Sequence, residues 1–254
     1  MSLHRNRRSH RYHSQTQRVR IMTEEWVLRN IYCPRCGNPK IEHFPNNAAV
    51  ADYFCPFCKN EFELKSKRNS VGRKIADGAY DTFIGRITSN NNPDFFILTY
   101  DPVACCVNNL FLIPKHFFTP SIVEKRKPLS ATAKRAGWVG CNILFHDIPI
   151  QGQVQIIVNR QAVAKETVLA SVKAADRLIS KNIEARGWLM DVLWCVNQIS
   201  TSVFSLDDMY RFERVLSEKH PDNHNVKAKI RQQLQLLRDR DILAFLKPGI
   251  YQKQ

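Results

Sequence analysis

The chain has no apolar run approaching the ~20 residues of a membrane span. Its arginine-rich start lacks the apolar core of a signal peptide, so a cytoplasmic protein is expected. There is no internal repeat. Acidic residues are scarce: 23 Asp and Glu stand against 38 Lys and Arg, for a net charge of +15 and a pI near 9.6. That imbalance favours a polyanionic partner, bound by neutralising phosphates and releasing counterions. Part of the excess is local. Residues 1–20 contain no acid and hold Arg5, Arg7, Arg8, Arg11, Arg18 and Arg20, which accounts for +6 of the +15. This polar segment is expected to be a disordered tail, either a solvated extension or a nucleic-acid-binding arm. The remaining +9 keeps the case for nucleic acid without it.

Eight cysteines in 254 residues do not make a disulfide scaffold in a chain of this length without a secretory signal. Four of them form two Cys-x-x-Cys pairs, Cys33/Cys36 and Cys55/Cys58, with eighteen residues between the pairs. Two short turns that each supply two thiolates close a tetrahedral Zn²⁺ site. A redox motif would occur once, opening a helix, not twice around a hairpin. Four thiolates leave no open position, so this metal is expected to stabilise the fold and do no chemistry. Cys105, Cys106, Cys141 and Cys195 lie in apolar stretches and read as buried free thiols.

Asp52 stands between the two pairs, and Glu63 and Lys65 follow the second at once. Two hard oxygen ligands and one cation are what a magnesium-dependent phosphodiester nuclease needs. The bland alternative is a surface ion pair worth ~0–1 kcal/mol. Val50–Phe54 reads as a strand and Phe62–Lys65 as its returning partner. The two-residue period puts Glu63 and Lys65 on one face and Phe62 and Leu64 on the other.

Along the rest of the chain, Thr23 followed by two acids resembles a helix start, and Lys74 to Ile87 has helical spacing. Phe95–Tyr100 and Leu110–Ile113 are continuous apolar strands of the doubly buried kind. Ala131–Arg135 reads as a short basic helix before Trp138, and Gly152–Val158 as a last strand. The texture up to about residue 180 is that of one α/β domain with a mixed central sheet. Beyond it, Gly187–Ile199 is helical, Ser205 caps a second helix with Asp208 at its third position, and Asn225–Arg240 is a long amphipathic helix. Lys247-Pro248-Gly249 then marks a hairpin. Three helices and a hairpin describe a winged helix-turn-helix. Its last helix carries Lys227, Lys229 and Arg231 near its start, with Asn223, Asn225 and Gln232 able to read adenine edges. Residues 181–254 hold 12 basic and 9 acidic residues, so a solvated basic face is the competing reading. Trp138 reads equally as a base-stacking residue and as a buried core side chain.

Several segments together resemble the DpnI-like methyl-directed type IIM restriction endonucleases. They are Ile21-Met22-Thr23-Glu24-Glu25-Trp26-Val27, Tyr32-Cys33-Pro34-Arg35-Cys36-Gly37-Asn38 and Phe62-Glu63-Leu64-Lys65-Ser66-Lys67, then Asp77-Gly78-Ala79-Tyr80, Asn91-Asn92-Pro93 and Arg135-Ala136-Gly137-Trp138. Asp208-Met209-Tyr210-Arg211-Phe212-Glu213 and Lys229-Ile230-Arg231-Gln232-Gln233-Leu234-Gln235 complete the set. The likeness is collinear from about residue 20 to the C-terminus, and the segment before it takes no part. The resemblance implies an α/β (α+β) restriction-endonuclease-like PD-(D/E)xK core containing a zinc-binding hairpin over residues 21–180. A winged-helix DNA-binding domain over 181–254 follows. It implies a type II site-specific deoxyribonuclease that cuts duplex DNA at GATC carrying N6-methyladenine, as a monomer in solution. In that reading Asp52, Glu63 and the Leu64 carbonyl hold Mg²⁺, Lys65 assists the attacking water, and Cys33, Cys36, Cys55 and Cys58 hold Zn²⁺. Trp138, Asn225, Lys227, Lys229, Arg231 and Gln232 are the positions expected to recognise DNA and its methyl groups. Ala51 stands where the motif's proline would be, a departure that touches no ligand. Two other readings stay open: a PD-(D/E)xK nuclease with a different DNA target, and a non-catalytic zinc and winged-helix regulator.

Overall fold

The computed structural model describes residues 2–3, 14–44, 51–89, 91–180 and 182–254. Arg5, Arg7, Arg8 and Arg11 of the expected tail, and Val50 of the expected first strand, lie outside these residues. The chain divides into two compact units, residues 1–76, 89–115 and 151–176 forming one, and residues 77–88, 116–150 and 177–254 the other.

The first unit is built on a seven-stranded mixed sheet. Its strands are β1 (Glu42–His43), β2 (Tyr53–Phe54), β3 (Glu61–Arg68), β5 (Asp94–Asp101), β6 (Cys106–Ile113), β9 (Val154–Val158) and β10 (Gln161–Ala162), in that spatial order. Strands β3 and β5 run parallel, with Glu63 opposite Phe95 and Lys65 opposite Ile97. The apolar run of β5 explains its place, because residues 94–99 are all buried, with Phe95 and Phe96 fully so. On β3 the alternation holds. Phe62 is fully buried and stacks on Phe96 at 4.8 Å between centroids, while Glu63 and Lys65 share the opposite face as an ion pair.

Helix α1 (Gln15–Asn30) belongs to this unit and starts two turns earlier than the Thr23 signal predicts. Residues 15–20, assigned to the tail from their charge, contain no Gly or Pro, and Gln15, Gln17, Arg18 and Arg20 among them are good helix formers. Thr23 does not cap the helix. Its hydroxyl bonds back to the Val19 and Arg20 carbonyls, 3.0 Å each, and accepts from Ser66 Oγ of β3 at 2.9 Å. At the other end of the charged segment Leu3 is buried and its N–H donates to the Cys105 carbonyl at 2.7 Å. Helix α3 (Lys165–Asp176) packs Val168 and Val172 into the same core.

The second unit contains α2 (Tyr80–Thr88), β7 (Val123–Lys125) and β8 (Gly140–Leu144), with β7 and β8 antiparallel. The helix expected over 74–87 is in fact strand β4 (Lys74–Ala79) followed by α2. Gly78 disfavours helix, and Asp77 Oδ1 takes the Gly78 N–H at 2.7 Å. The short helix expected over Ala131–Arg135 is a series of turns, closed by Leu129 N–H to the Trp138 carbonyl at 3.0 Å and Gly137 N–H to the Leu129 carbonyl at 3.1 Å. Gly137 has φ of 77°, the left-handed region that ends such a loop.

The C-terminal part of this unit follows the expected order with two additions. Helix α4 (Ile183–Gln198) is capped by Asn182 and buries ten of its residues. Strand β11 (Val203–Ser205) leads into α5 (Leu206–Tyr210), where Ser205 and Asp208 form the reciprocal capping box. The second helix is split, α5 being followed by α6 (Glu213–Lys219). Helix α7 (Val226–Asp239) turns Ile230, Leu234 and Leu237 inward, and β12 (Leu243–Lys247) and β13 (Ile250–Lys253) form the wing, joined at its edge by β11.

Candidate active site

The two Cys-x-x-Cys turns are built to one pattern. In the first, Gly37 N–H donates to the Cys33 carbonyl and Cys33 N–H to the Asn38 carbonyl, both 2.8 Å. In the second, Lys59 N–H donates to the Cys55 carbonyl and Cys55 N–H to the Asn60 carbonyl, both 2.9 Å. Each turn ends on a left-handed residue, Gly37 at φ 77° and Lys59 at φ 60°. The four sulfurs lie within 4.8 Å of one another, with Cys33–Cys58 and Cys36–Cys55 at 3.6 Å. Tetrahedral Zn–S bonds of about 2.3 Å set sulfurs roughly 3.8 Å apart, so the cluster has the dimensions for Zn²⁺. Burial pushes the Cys33 thiol up, and a bound dication is what would favour its thiolate.

A buried aspartate that the sequence pattern did not single out ties both turns to the sheet. Asp94, fully buried at the start of β5, receives Arg35 of the first turn through two bonds, Nε to Oδ2 at 2.6 Å and an amino group to Oδ1 at 2.9 Å. Asn60, next to the second turn, donates to the same carboxylate at 2.7 Å, and Lys115 N–H donates at 2.8 Å. Arg35 also pairs with Asp176 of α3. Only the sheet register brings these residues together, so no local spacing could have shown it.

At the other end of the β2–β3 hairpin, Asp52 N–H donates to the Phe62 carbonyl at 3.0 Å, and Asp52 Oδ2 accepts from Leu64 N–H at 2.7 Å. Glu63 and Lys65 are joined at 2.6 Å between Oε1 and Nζ, both largely screened from solvent. Lys65 Nζ also lies 5.6 Å from the centre of the Phe95 ring. Asp52, Glu63, Leu64 and Lys65 all line a pocket of about 820 Å³, whose other wall is α1. Burial raises the Asp52 carboxyl above its usual range. The Leu64 N–H opposes this, and the Glu24 carboxylate adds to it. A second cation would relieve that crowding of negative charge.

In the second unit the expected reader positions Asn225, Lys227, Arg231 and Gln232 are exposed along the start of α7, and Lys229 is half-buried. Arg231 donates to Tyr210 Oη at 2.7 Å, and Lys227 Nζ lies 5.3 Å from the Tyr210 ring. Asn225 precedes α7 without capping it, which leaves its amide uncommitted to the helix. Trp138 is half-buried in the same unit as α7, with Arg135 stacked over it at 4.6 Å and its ring edge laid on Gly140. A Cβ at Gly140 would come within 2.7 Å of that ring, so the glycine is required for the tryptophan's pose.

Residues 1–181 match the DpnI, Dam-replacing family, and residues 184–253 match the Dam-replacing HTH domain. The chain belongs to the DpnI family. Membership makes it a restriction endonuclease, and the HTH domain makes DNA its partner. The match begins at residue 1, so it takes in the arginine-rich segment that the shared motifs left aside. Within this DpnI-family chain the four-cysteine cluster could bind zinc, and it is the one group of three or more such ligands among the described residues. No helix among the described residues is long and apolar enough to cross a membrane.

Proposed function

We propose that this chain is a Mg²⁺-dependent, methyl-directed type II endonuclease that hydrolyses duplex DNA at GATC carrying N6-methyladenine. The observation that carries the reading is that Asp52, Glu63, Leu64 and Lys65 line one pocket in a chain of the DpnI family. The donor set suits Mg²⁺: two carboxylates and a main-chain carbonyl are hard oxygen ligands, and Asp52 Oδ1 accepts no hydrogen bond among the described residues. Asp52, Glu63 and the Leu64 carbonyl would hold the ion, which when bound supplies charge to the phosphate and acidity to water. Lys65, 2.6 Å from Glu63, offsets negative charge growing on the phosphate oxygens and assists deprotonation of the attacking water. The water oxygen bonds to phosphorus in line with the 3′ oxygen, whose bond breaks, leaving a 5′-phosphate and a 3′-hydroxyl.

In the same reading Cys33, Cys36, Cys55 and Cys58 hold a structural Zn²⁺ and do no chemistry. Methyl-adenine is read twice, by the Trp138 region and by α7, and the two discriminations multiply because their free energies add. The protein acts as a cytoplasmic monomer. The test is incubation with fully methylated and unmethylated GATC plasmids in Mg²⁺, where only the methylated plasmid should be cut. Lys65→Ala should still bind methylated DNA and lose at least ~10²-fold in cleavage rate. Cutting of neither plasmid by the wild type would overturn the enzyme reading, and equal cutting would overturn methyl dependence alone.

A further inference from the structure

The two turns that α1 gains over its expected start carry a polar face into the nuclease pocket. Gln15, Thr16, Val19, Arg20, Thr23 and Glu24 line it, at the spacing of one helix stripe. The helix is held against the β2–β3 hairpin at two points. Tyr53 Oη donates to the Glu24 carbonyl at 2.9 Å, and Ser66 Oγ donates to Thr23 Oγ1 at 2.9 Å. Arg20 therefore sits at a fixed place beside Asp52, whose charge it feels. Its Nε donates to Glu24 Oε1 at 2.5 Å, while its two terminal amino groups make no hydrogen bond among the described residues. A guanidinium held from the side with its fork open is prepared for bidentate contact with a phosphate.

The same helix holds its own control. Arg29 pairs with Glu25 at the same four-residue interval and is similarly exposed, 62% against 71% for Arg20, yet it does not line this pocket. The order of the charges also differs. Glu25 precedes Arg29, the order that favours a helix, whereas Arg20 precedes Glu24, the less favourable one. Helix stability therefore accounts well for the Arg29 pair and poorly for the Arg20 pair.

We infer that Arg20 is a phosphate-binding residue of the nuclease pocket, with Glu24 orienting its guanidinium toward the DNA strand that enters. The inference rests on the proposed nuclease reading of that pocket, but its test reads binding and not cutting. Full-length wild type, Arg20→Ala, Arg20→Lys and Arg29→Ala are titrated with a labelled methylated GATC duplex over a series of salt concentrations. Ca²⁺ replaces Mg²⁺, and thermal melts check that each variant is folded. Arg20→Ala should weaken binding about tenfold and reduce the slope of log affinity against log salt by about one. Arg20→Lys should restore the slope but not all of the affinity, because a point charge replaces a fork. Arg29→Ala should leave both near wild type. Equal effects of Arg20→Ala and Arg29→Ala, no effect of Arg20→Ala, or no binding by the wild type would each overturn the inference. A wild type that binds with the predicted slopes but cuts no DNA would sink the nuclease reading and leave the phosphate contact standing.

Discussion

The two units reach order by different routes. In the first, the described residues between Ile31 and Asn60 contain only the two-residue strands β1 and β2, and their turns are shaped by backbone bonds around four cysteines. Two of their few buried hydrophobic residues are themselves thiols, Cys33 and Cys55. In the second, α4 alone buries ten residues, and α7 adds Ile230, Leu234 and Leu237. One region concentrates its order in a four-cysteine cluster and the buried Arg35–Asp94 link, while the other spreads it over helix packing and caps. The proposed nuclease residues stand on the concentrated region, where Asp52 and Glu63 belong to the hairpin that follows from the second cysteine turn.

Removing zinc should break this comparison open most widely. Structural zinc contributes an apparent ~10–16 kcal/mol in small zinc domains. A strong chelator, or Cys33→Ser, is expected to expose residues 31–60 to protease while α4 and α7 stay protected. Hydrogen exchange followed by peptide mapping would measure this. Uniform protection in both units after zinc is gone would mean that the cysteine cluster does not hold the hairpin.

The next largest effect should come from Asp94. Alanine there takes away two of the Arg35 guanidinium's bonds, leaving it the partly exposed Asp176 alone, and removes the acceptor for Asn60. A loss of about 3–5 kcal/mol in the chemical unfolding of the first unit is expected. The second unit offers a counterpart in Asp191 of α4, nearly buried and bonded to His220 at 2.9 Å, Lys219 at 2.8 Å and Ser121 at 3.1 Å. Burial works to raise that carboxyl, but the bonds to His220 and Lys219 outweigh it and hold it below its usual range. Its contribution is therefore present above the ordinary carboxylate pKa and is lost as pH falls through the lowered one. If Asp94→Ala unfolds the first unit no more easily than wild type, the sheet does not depend on the link to the turns.

What was legible in the sequence follows the same division. Contiguous signals survived: the cysteine spacing, the Glu63/Lys65 alternation, the β5 run, the capping box at Ser205 and the amphipathic α7. Competing local signals misled. Thr23 before two acids mimics a cap, yet its hydroxyl serves a packed helix interior, and Ile75 keeps helical register with α2 while lying on a strand. The link through Asp94 and the Arg20 face of α1 were invisible because both depend on which strands and helices come to lie side by side, and no spacing along the chain records that.

The smallest expected effect is also the sharpest test of how widely the second unit spreads its stability. Ser205 Oγ accepts from Asp208 N–H at 3.1 Å, and Asp208 Oδ2 accepts the Ser205 N–H at 2.9 Å and its hydroxyl at 2.8 Å. Ser205→Ala removes the hydroxyl from this box but leaves the main-chain bond to Asp208 in place. It should cost about 1 kcal/mol, within the range for N-cap deletions. Met209, Phe204 and Leu216 stay buried nearby and keep the helix pair in place without the cap. A calorimetric shift of several degrees in the transition of the HTH unit, with α7 still protected in exchange, is the expected record. Loss of the whole transition would mean that this unit, too, hangs on one contact, and the contrast between the units would fail.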